Sequence, residues 1–170
     1  MRYQTYDING NGFIDQADFQ EAAQRTADAF GHTADSPQRR RLNDVFRQVW
    51  QGLWEIADAD NDGRIDEAEY KTTFTALVLE RPDAFDEVYL PFIDALIDIA
   101  DSDGDARLDQ AEHARLFGAF LSVSEKDSAE SFRMLDGDGI LTRQEIQKAV
   151  REYYCSEDPE APGNWLLGPL

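Results

Sequence analysis

Four segments of this chain bring acidic side chains together at a fixed spacing. The most regular one begins at Asp58 and ends at Glu69, with acids at its first, third, fifth, ninth and twelfth positions and Gly63 at the sixth. An all-oxygen set of this kind suits Ca²⁺, a hard cation that takes six to eight oxygen ligands. Twelve residues can wrap so many oxygens round one point only if the segment turns sharply midway, and a glycine permits that turn. An ordinary Asp/Gly turn explains one such segment, but not three near-complete repeats and a partial fourth.

The segment at residues 58–69, called loop 2, has the most complete ligand set of the chain. We expect carboxylates at five positions, and at position 7 a backbone carbonyl, which any residue can provide. The predicted ligands of loop 2 are Asp58, Asp60, Asp62, Arg64 through its carbonyl, Asp66 and Glu69.

Loop 3, residues 101–112, has the same five acidic positions but lacks the turn glycine. Ala106 stands at position 6, where a left-handed backbone costs a residue with a side chain about 1 kcal/mol or more. Five carboxylates round one divalent ion outweigh that cost, so we expect loop 3 to bind somewhat more weakly. Shifting the register to put Gly104 at the turn places Ile99 and Gln110 at the end positions, and this alternative fails. The predicted ligands are Asp101, Asp103, Asp105, Arg107 through its carbonyl, Asp109 and Glu112.

Loop 1, residues 7–18, differs at its last position, where Asp18 replaces the usual glutamate. The aspartate side chain is one methylene shorter, so it tends to bind through one oxygen and lowers the coordination number toward the octahedral preference of Mg²⁺. Loop 1 also has three carboxylates where loops 2 and 3 have five. We therefore expect a weaker Ca²⁺ site with poorer discrimination against Mg²⁺. Its predicted ligands are Asp7, Asn9, Asn11, Phe13 through its carbonyl, Asp15 and Asp18.

Loop 4, residues 134–145, is incomplete. Counting back from Glu145 leaves Met134 at position 1, and a thioether is a poor ligand for a hard cation. Counting forward from Asp136 puts Ile140 at position 5 and a leucine at the turn, which is worse, so the segment resembles a loop that has lost two residues. We expect a silent loop that is kept as a pairing partner. Met134→Asp is the change expected to restore it in part, if the geometry allows.

Apolar residues recur at helical spacing beside the loops, which predicts helices that enter and leave them. Ser36 and Pro37 mark the start of a long helix before loop 2, and Ser124 is a predicted cap for the helix before loop 4. Pro91 predicts a kink or a fresh helix start before loop 3. Only six residues precede loop 1. Either its entering helix is short, or the real start lies upstream of Met1.

Position 8 of each loop is aliphatic, and we expect these four residues to pair the loops through short strands. Loops 1 and 2 then form one pair within residues 1–81, and loops 3 and 4 form a second within residues 82–155, with a hinge near 79–82. Residues 156–170 form a tail. The predicted fold class is all-α and compact, with four helix–loop–helix units in two pairs. The position-8 residues are Ile14, Ile65, Leu108 and Leu141.

The four loops carry the EF-hand motif, and the chain resembles the sarcoplasmic calcium-binding proteins and their bacterial relatives of the calerythrin type. The resemblance rests on four unevenly spaced hands in 170 residues, on Asp18 at the end of loop 1, and on a tail, residues 158–170, that is similar to that family's C-terminal segment. It implies a helical protein that binds Ca²⁺ and Mg²⁺ and acts as a buffer. The short stretch before loop 1, the shortened loop 4 and the complete loop 2 depart from the family pattern.

The charge of the chain argues against several other classes of function. It has 35 acidic residues against 16 basic ones, for a net charge of −19. Nucleic acids and anionic membrane surfaces attract basic proteins, so neither is an expected partner. No apolar run approaches the length of a membrane span, and the first residues lack the apolar stretch of a secretory signal, so a cytoplasmic location is expected. Ligand positions of the four loops hold 16 of the acids, so most of the excess negative charge belongs to the loops.

The sequence indicates a binding protein and not an enzyme. His32 and His113 are isolated, and His113 is expected on a helix surface beside loop 3. No constellation of nucleophile and base is visible. The single Cys155 cannot form an internal disulfide. We expect a monomer whose ligands are Ca²⁺ ions, and the sequence leaves open whether it has a protein target.

A calcium sensor exposes a methionine-rich groove when it binds Ca²⁺. The two methionines here, Met1 and Met134, are not placed to line such a groove. Trp165, Leu166 and Leu167 in the tail either fold back into an apolar cleft between the halves or belong to a disordered terminus. A docked tail favours an intracellular Ca²⁺ buffer. The alternative is a Ca²⁺-dependent regulator that releases its tail, or exposes an apolar surface, to bind a partner protein.

Overall fold

Helices that flank the loops make up most of the chain. The computed structural model describes residues 3–80 and 82–168, without the side chains of 74, 77–80, 82–86 and 88. Short 3₁₀ turns lie at Tyr3–Thr5 and Pro162–Trp165. The helices and strands of the described ranges are α1 Gln16–Ala29, α2 Pro37–Ala57, α3 Glu67–Glu80, α4 Pro82–Ala100, β1 Arg107–Leu108, α5 Gln110–Leu121, α6 Glu125–Leu135, β2 Leu141–Thr142 and α7 Arg143–Cys155.

Five of the described helices, α1, α2, α5, α6 and α7, begin after a residue that caps their first turn. The predicted caps Ser36 and Ser124 accept a hydrogen bond from the backbone N–H three residues later and start α2 and α6. At position 9 of their loops, Asp15, Asp109 and Thr142 cap α1, α5 and α7. In each of these three, the position-12 side chain accepts a bond from the N–H of the cap, which completes a capping box. Loop positions 9 and 12 therefore also fix the direction in which the helix leaves the loop.

The position-8 residues join the loops in pairs, as the sequence predicts. The backbone N–H of Ile14 donates to the carbonyl of Ile65 at 2.9 Å, and the N–H of Ile65 donates back at 2.9 Å. In the second half β1 and β2 are antiparallel, with Leu108 opposite Leu141. All four side chains are fully buried. The predicted fold class, helical units in two pairs with short two-stranded contacts between loops, is confirmed.

An aromatic cluster packs the two halves against each other. Phe46 of α2 contacts Phe19 of α1, Phe92 of α4 and Phe120 of α5, with ring centroids between 4.8 and 6.4 Å apart. All four rings are buried. Because interiors are packed as densely as organic crystals, this continuous core holds the two loop pairs on one frame.

The tail lies against α6 and α7. Leu166 and Leu167 are only 4% and 6% exposed. The Ser131 hydroxyl donates to the carbonyl of Leu166 at 3.0 Å, and the N–H of Gly163 donates to the Glu152 carboxylate at 3.0 Å. Both leucines line an apolar cavity together with side chains of α4, α5 and α7. The described end of the tail, in which Gly163, Leu166 and Leu167 are buried, is therefore part of the interior, whereas residues 156–160 are exposed.

The structure contradicts one local prediction and decides between the two alternatives of another. His113 does not lie on a helix surface: it is 1% exposed, its ring stacks on Phe117 at 4.3 Å, and its Nδ1 lies 3.1 Å from the Ser128 hydroxyl. Burial lowers the pKa of His113 to about 4, so the ring is neutral near pH 7. Of the two alternatives at Pro91, the fresh helix start is excluded, since Pro91 lies inside α4, which begins at Pro82.

Three expectations concern the edges of the described chain. The boundary between 81 and 82 includes Arg81, which lies outside the described residues, although α3 ends at Glu80 and α4 begins at Pro82. Met1 also lies outside them, as do residues 169–170 at the end of the tail. The domain boundaries and the start of the chain stay predictions.

In the described ranges, no helix combines the length and apolar character needed to cross a membrane.

Candidate metal centres

Loop 2 gathers three acidic side chains at one point. One carboxylate oxygen from each of Asp58, Asp60 and Glu69 lies within 4.8 Å of the other two. The Glu69 carboxylate spans the loop, because Oε1 accepts from the N–H of Ala59 at 2.9 Å and Oε2 accepts from the N–H of Asp66 at 2.9 Å. The last position thereby closes the loop onto its start. Such convergence of oxygens is what a hard divalent cation requires.

The remaining predicted ligands of loop 2 support its backbone. Asp62 Oδ1 accepts from the N–H of Arg64 at 2.8 Å, and Asp66 Oδ1 accepts from the N–H of Glu69 at 2.8 Å. Gly63 has φ +82°, the left-handed turn expected at position 6. Asp62 and Asp66 stand outside the three-acid group, so in loop 2 the structure brings together part of the predicted set.

Loop 3 repeats this arrangement with a different group of acids. Carboxylate oxygens of Asp101, Asp103 and Asp105 lie within 4.8 Å of one another. Glu112 Oε1 accepts from the N–H of Ser102 at 2.7 Å, so the last position again crosses to position 2. The closure of loop 3 therefore matches that of loop 2.

Ala106 makes the turn of loop 3 without a glycine. Its φ is +64°, in the left-handed region, as its place at position 6 predicts. The N–H of Ala106 donates to Asp101 Oδ2 at 2.9 Å, which matches the bond of 3.0 Å from Gly63 to Asp58 in loop 2. The register with Ala106 at the turn is thus the one that the structure adopts. Arg107, at position 7, begins β1 directly after this turn.

The last acid of loop 1, Asp18, has a shorter side chain than Glu69 and Glu112 and is more deeply buried. Asp18 is 1% exposed, with Oδ1 accepting from the N–H of Asn9 at 3.1 Å and Oδ2 from the N–H of Asp15 at 2.9 Å. The glutamates of loops 2 and 3 reach position 2, whereas Asp18 reaches position 3. Burial raises the pKa of Asp18, partly offset by these two hydrogen bonds. In the part of the chain that the structure describes, loop 1 has no group of three clustered acids.

The start of loop 1 keeps the internal bonds of the other loops. Asp7 accepts from the N–H of Asn11 at 3.0 Å and from that of Gly12 at 2.9 Å. The Asn11 side chain accepts from the N–H of Phe13 at 2.9 Å. Loop 1 therefore has the backbone arrangement of loops 2 and 3 with fewer charged ligands.

A tryptophan outside the predicted ligand set contacts loop 2. Trp54 Nε1 donates to Asp58 Oδ2 at 2.6 Å, and the same oxygen accepts from Gly63. Partial desolvation acts to raise the pKa of Asp58, but these donors outweigh it and the pKa is lowered. Trp54 is not among the ligands that the sequence predicts. The available signal was an indole one helical turn before the first ligand.

Loop 4 begins at Asp136 and is two residues shorter than the other loops. The N–H of Asp136 donates to the carbonyl of Phe132, four residues earlier, as the first residues of loops 2 and 3 do with their own helices. Met134 lies in the last turn of α6, which continues to Leu135. The register that places Met134 at position 1 is therefore wrong. Because Met134 lies inside α6, the geometry on which a partial rescue by Met134→Asp depends is absent. A loop can begin only where its entering helix ends.

The acids of loop 4 bond locally. Asp136 Oδ1 accepts from the N–H of Asp138 at 2.8 Å and from that of Gly139 at 2.7 Å. Glu145 Oε2 accepts from the N–H and the hydroxyl of Thr142 at 2.8 and 2.7 Å. Among the described residues of loop 4, no three acids converge. The loop keeps its pairing strand, but its carboxylates serve the short turn.

Insertion of Gly-Asp between Asp138 and Gly139 should give loop 4 a metal site. Counted from Asp136, the insertion puts an aspartate at position 5, Gly139 at position 6 and Glu145 at position 12. We expect one additional bound Ca²⁺ per chain in a calorimetric titration, because the full ligand spacing is then present. Met134→Asp in the unextended chain is the control and should add no ion. Equal stoichiometry in the extended and natural chains would contradict the two-residue deletion as the cause of silence.

The paired helix–loop–helix units and their acidic loops define an EF-hand protein. A family model described as an EF-hand domain pair matches residues 1–75. Calerythrin of Saccharopolyspora erythraea is 30% identical, over 90% of this chain and 88% of its own. The sarcoplasmic calcium-binding protein alpha chain of Penaeus vannamei is 28% identical, over 100% of this chain and 92% of its own.

Solved structures agree with this likeness. A calcium-binding protein of Streptomyces coelicolor superposes with a TM-score of 0.82 at 36% identity, covering 92% of this chain and 95% of its own. The photoprotein clytin has a TM-score of 0.76 at 20% identity, over 98% of this chain and 88% of its own, which shows a shared fold alone. The chain belongs to the EF-hand family of calerythrin and the sarcoplasmic calcium-binding proteins, and the predicted resemblance is confirmed. It is a calcium-binding protein.

Proposed function

We propose that this protein is a Ca²⁺ buffer that binds the ion in loops 1, 2 and 3 and leaves loop 4 silent. The observation that carries the buffer role is the position of the tail. Leu166 and Leu167 occupy the apolar interior between α4, α5, α6 and α7, where a sensor would receive a target helix. Because the tail covers this cleft, a target helix could enter it only if the tail were released.

The predicted ligands suit the ion, because they are all oxygens. Within loop 2, and separately within loop 3, carboxylate oxygens of three acids lie within 4.8 Å of one another, and like charges at that distance repel. Bound Ca²⁺ supplies the positive charge that removes this repulsion and stabilises the closed loops. Three ions would bring the net charge from −19 to about −13. The carboxylates of Glu69 and Glu112 would then hold the last position of each loop on the ion.

Loop 1 is the proposed site of exchange between Ca²⁺ and Mg²⁺. It has fewer charged ligands, and the short Asp18 favours the lower coordination number of Mg²⁺. Asn9 and Asn11 contribute neutral oxygens at the two positions where loops 2 and 3 have aspartates. We expect cell-like Mg²⁺ to weaken the apparent Ca²⁺ affinity of loop 1 far more than that of loops 2 and 3.

Calorimetric titration and hydrophobic-dye fluorescence test the two parts of the proposal. Titration with Ca²⁺ should give three ions per chain, and competition with Mg²⁺ should affect one of them. Four ions, or fewer than two, would contradict the assignment of the loops. Dye fluorescence should change little when Ca²⁺ is added, since the tail keeps the apolar cleft covered. A large Ca²⁺-induced rise would overturn the buffer role and support a regulator.

A Ca²⁺-dependent regulator is the second candidate, favoured by one relative. The Streptomyces coelicolor protein, 36% identical to this chain, has been described in the context of prokaryotic calcium-mediated regulation. In this chain Trp54 and Ile56 are large apolar residues exposed at 39% and 57%, near loop 2. A regulator would use such a surface, or the cleft vacated by its tail, to bind a partner. A monomer in the cytoplasm without nucleic-acid or membrane partners suits both candidates.

A further inference from the structure

Tyr3 contacts both loops of the first pair through one hydroxyl group. The hydroxyl donates to the carbonyl of Ile65 in loop 2 at 2.8 Å and to that of Gly12 in loop 1 at 3.0 Å. The side chain is 7% exposed, and its ring meets that of Tyr70, just after loop 2, at 5.6 Å. Burial and then the nearby Asp7 raise the pKa of Tyr3 to about 12, so the hydroxyl keeps its proton at neutral pH.

Both acceptor carbonyls are next to a position-7 residue. Gly12 directly precedes Phe13 in loop 1, and Ile65 directly follows Arg64 in loop 2. The peptide between Gly12 and Phe13 is held at both ends, because its N–H donates to Asn11 Oδ1 at 2.9 Å. A peptide plane held in this way limits the directions open to the next carbonyl, which is the predicted backbone ligand of loop 1.

We propose that the Tyr3 hydroxyl couples Ca²⁺ binding in loop 1 to Ca²⁺ binding in loop 2, as a positioning residue and not as a ligand. The inference rests on the proposed function of these loops. One proton shared by two carbonyls makes their positions interdependent, so a loop that closes on an ion changes the hydrogen bond available to the other. By linkage, the effect on affinity is the same in both directions.

The coupling belongs to the first pair. The Ile65 carbonyl also accepts from the N–H of Ile14, so Tyr3 adds a second link beside the position-8 contact that both pairs have. Tyr3 stands four residues before the first ligand of its loop. The residues at that place in loops 3 and 4 are Ile97 and Phe132, which have no hydroxyl.

Tyr3→Phe removes the hydroxyl and keeps the ring. Its effect is measured by Ca²⁺ titration of the full chain carrying Glu112→Gln, so that loops 1 and 2 dominate the signal. We compare a chain with loop 1 intact to one with loop 1 silenced by Asp18→Asn. Tyr3→Phe should weaken loop 2 about fivefold when loop 1 is intact and less than twofold when loop 1 is silenced.

Tyr6→Phe is the matched control, because the Tyr6 hydroxyl bonds to that of Tyr154 and not to a loop carbonyl. It should leave both affinities within twofold, and in chains that keep Glu112 the affinity of loop 3 should not change with Tyr3→Phe, which verifies folding. An equal effect of Tyr3→Phe in the two backgrounds, or none in either, overturns the coupling. A natural chain that takes up no Ca²⁺ in loops 1 and 2 overturns the proposed function instead.

Discussion

Glu69→Gln and Glu112→Gln should each remove one bound Ca²⁺ from the chain, and the double variant should remove two. At position 12 a glutamate can offer two charged oxygens, whereas the amide offers one neutral oxygen. We expect the affinity of the altered loop to fall about 100-fold or more, which corresponds to about 2.7 kcal/mol. In a titration at micromolar protein, the stoichiometry should drop from three to two in each single variant.

The amide is nearly the same size as the carboxylate, so these variants test charge more than shape. Glu69 and Glu112 also accept hydrogen bonds from backbone N–H groups at position 2, and the amide oxygen can keep one such bond. Glu67→Gln is the control, since Glu67 lies on the surface of α3 and pairs with Lys71 at 2.7 Å. It should leave three sites. Three sites in Glu69→Gln as well would show that loop 2 does not use its last position.

The loops were the most predictable part of this molecule, because each of their features depends on near neighbours in sequence. Spacing alone places Ala106 at the turn of loop 3, and the left-handed backbone there follows from the same count. The pairing of Ile14 with Ile65 follows from their shared position in two loops. A ligand set and its turn are local properties, so a sequence is sufficient to predict them.

The mistaken predictions depend on contacts between distant elements. Counting back from Glu145 puts Met134 in the loop, because spacing alone does not show where α6 ends, and the helix end is set by its capping and packing. His113 was placed in solvent, but α6 covers it through Ser128 and Phe132. Neither the end of α6 nor the burial of His113 can be predicted from the spacing of nearby residues. Tyr3 is an intermediate case, since its place one turn before loop 1 was visible and its acceptors were not.

The structure also separates two kinds of acidic residue. Away from the loops, Asp94 and Asp98 on α4 pair with Arg143 of α7 at 2.9 and 2.7 Å, and Arg41 of α2 also contacts Asp98. In loops 2 and 3, by contrast, acids lie beside one another. Like charges that are held close favour the uptake of a cation, because the cation removes their repulsion. The charge of −19 therefore reflects binding capacity more than general acidity.

Gly163→Ala should release the tail and expose the apolar cavity that it closes. A Cβ at this position would lie 2.5 Å from the carbonyl oxygen of Ala149 and closer still to Glu152 Cβ, so backbone atoms must separate. Leu166 and Leu167 follow three and four residues later and are buried, and full burial of a leucine is worth about 1.5–3 kcal/mol. We expect the free energy of unfolding to fall by about 2–4 kcal/mol, measured by chemical denaturation.

Dye fluorescence decides whether the lost stability comes from an open cleft. In Gly163→Ala it should rise without added Ca²⁺, whereas in Gly52→Ala it should not, because Gly52 is exposed on α2 with no atom near its absent side chain. The alanine in that helix should stabilise the protein by about 0.5–1 kcal/mol. An unchanged dye signal in Gly163→Ala would contradict the tail as the cover of the cleft. If the cleft opens while three Ca²⁺ still bind, ion uptake does not depend on the tail. That independence is expected of a buffer, whereas a tail-release switch requires ion binding and tail position to be coupled.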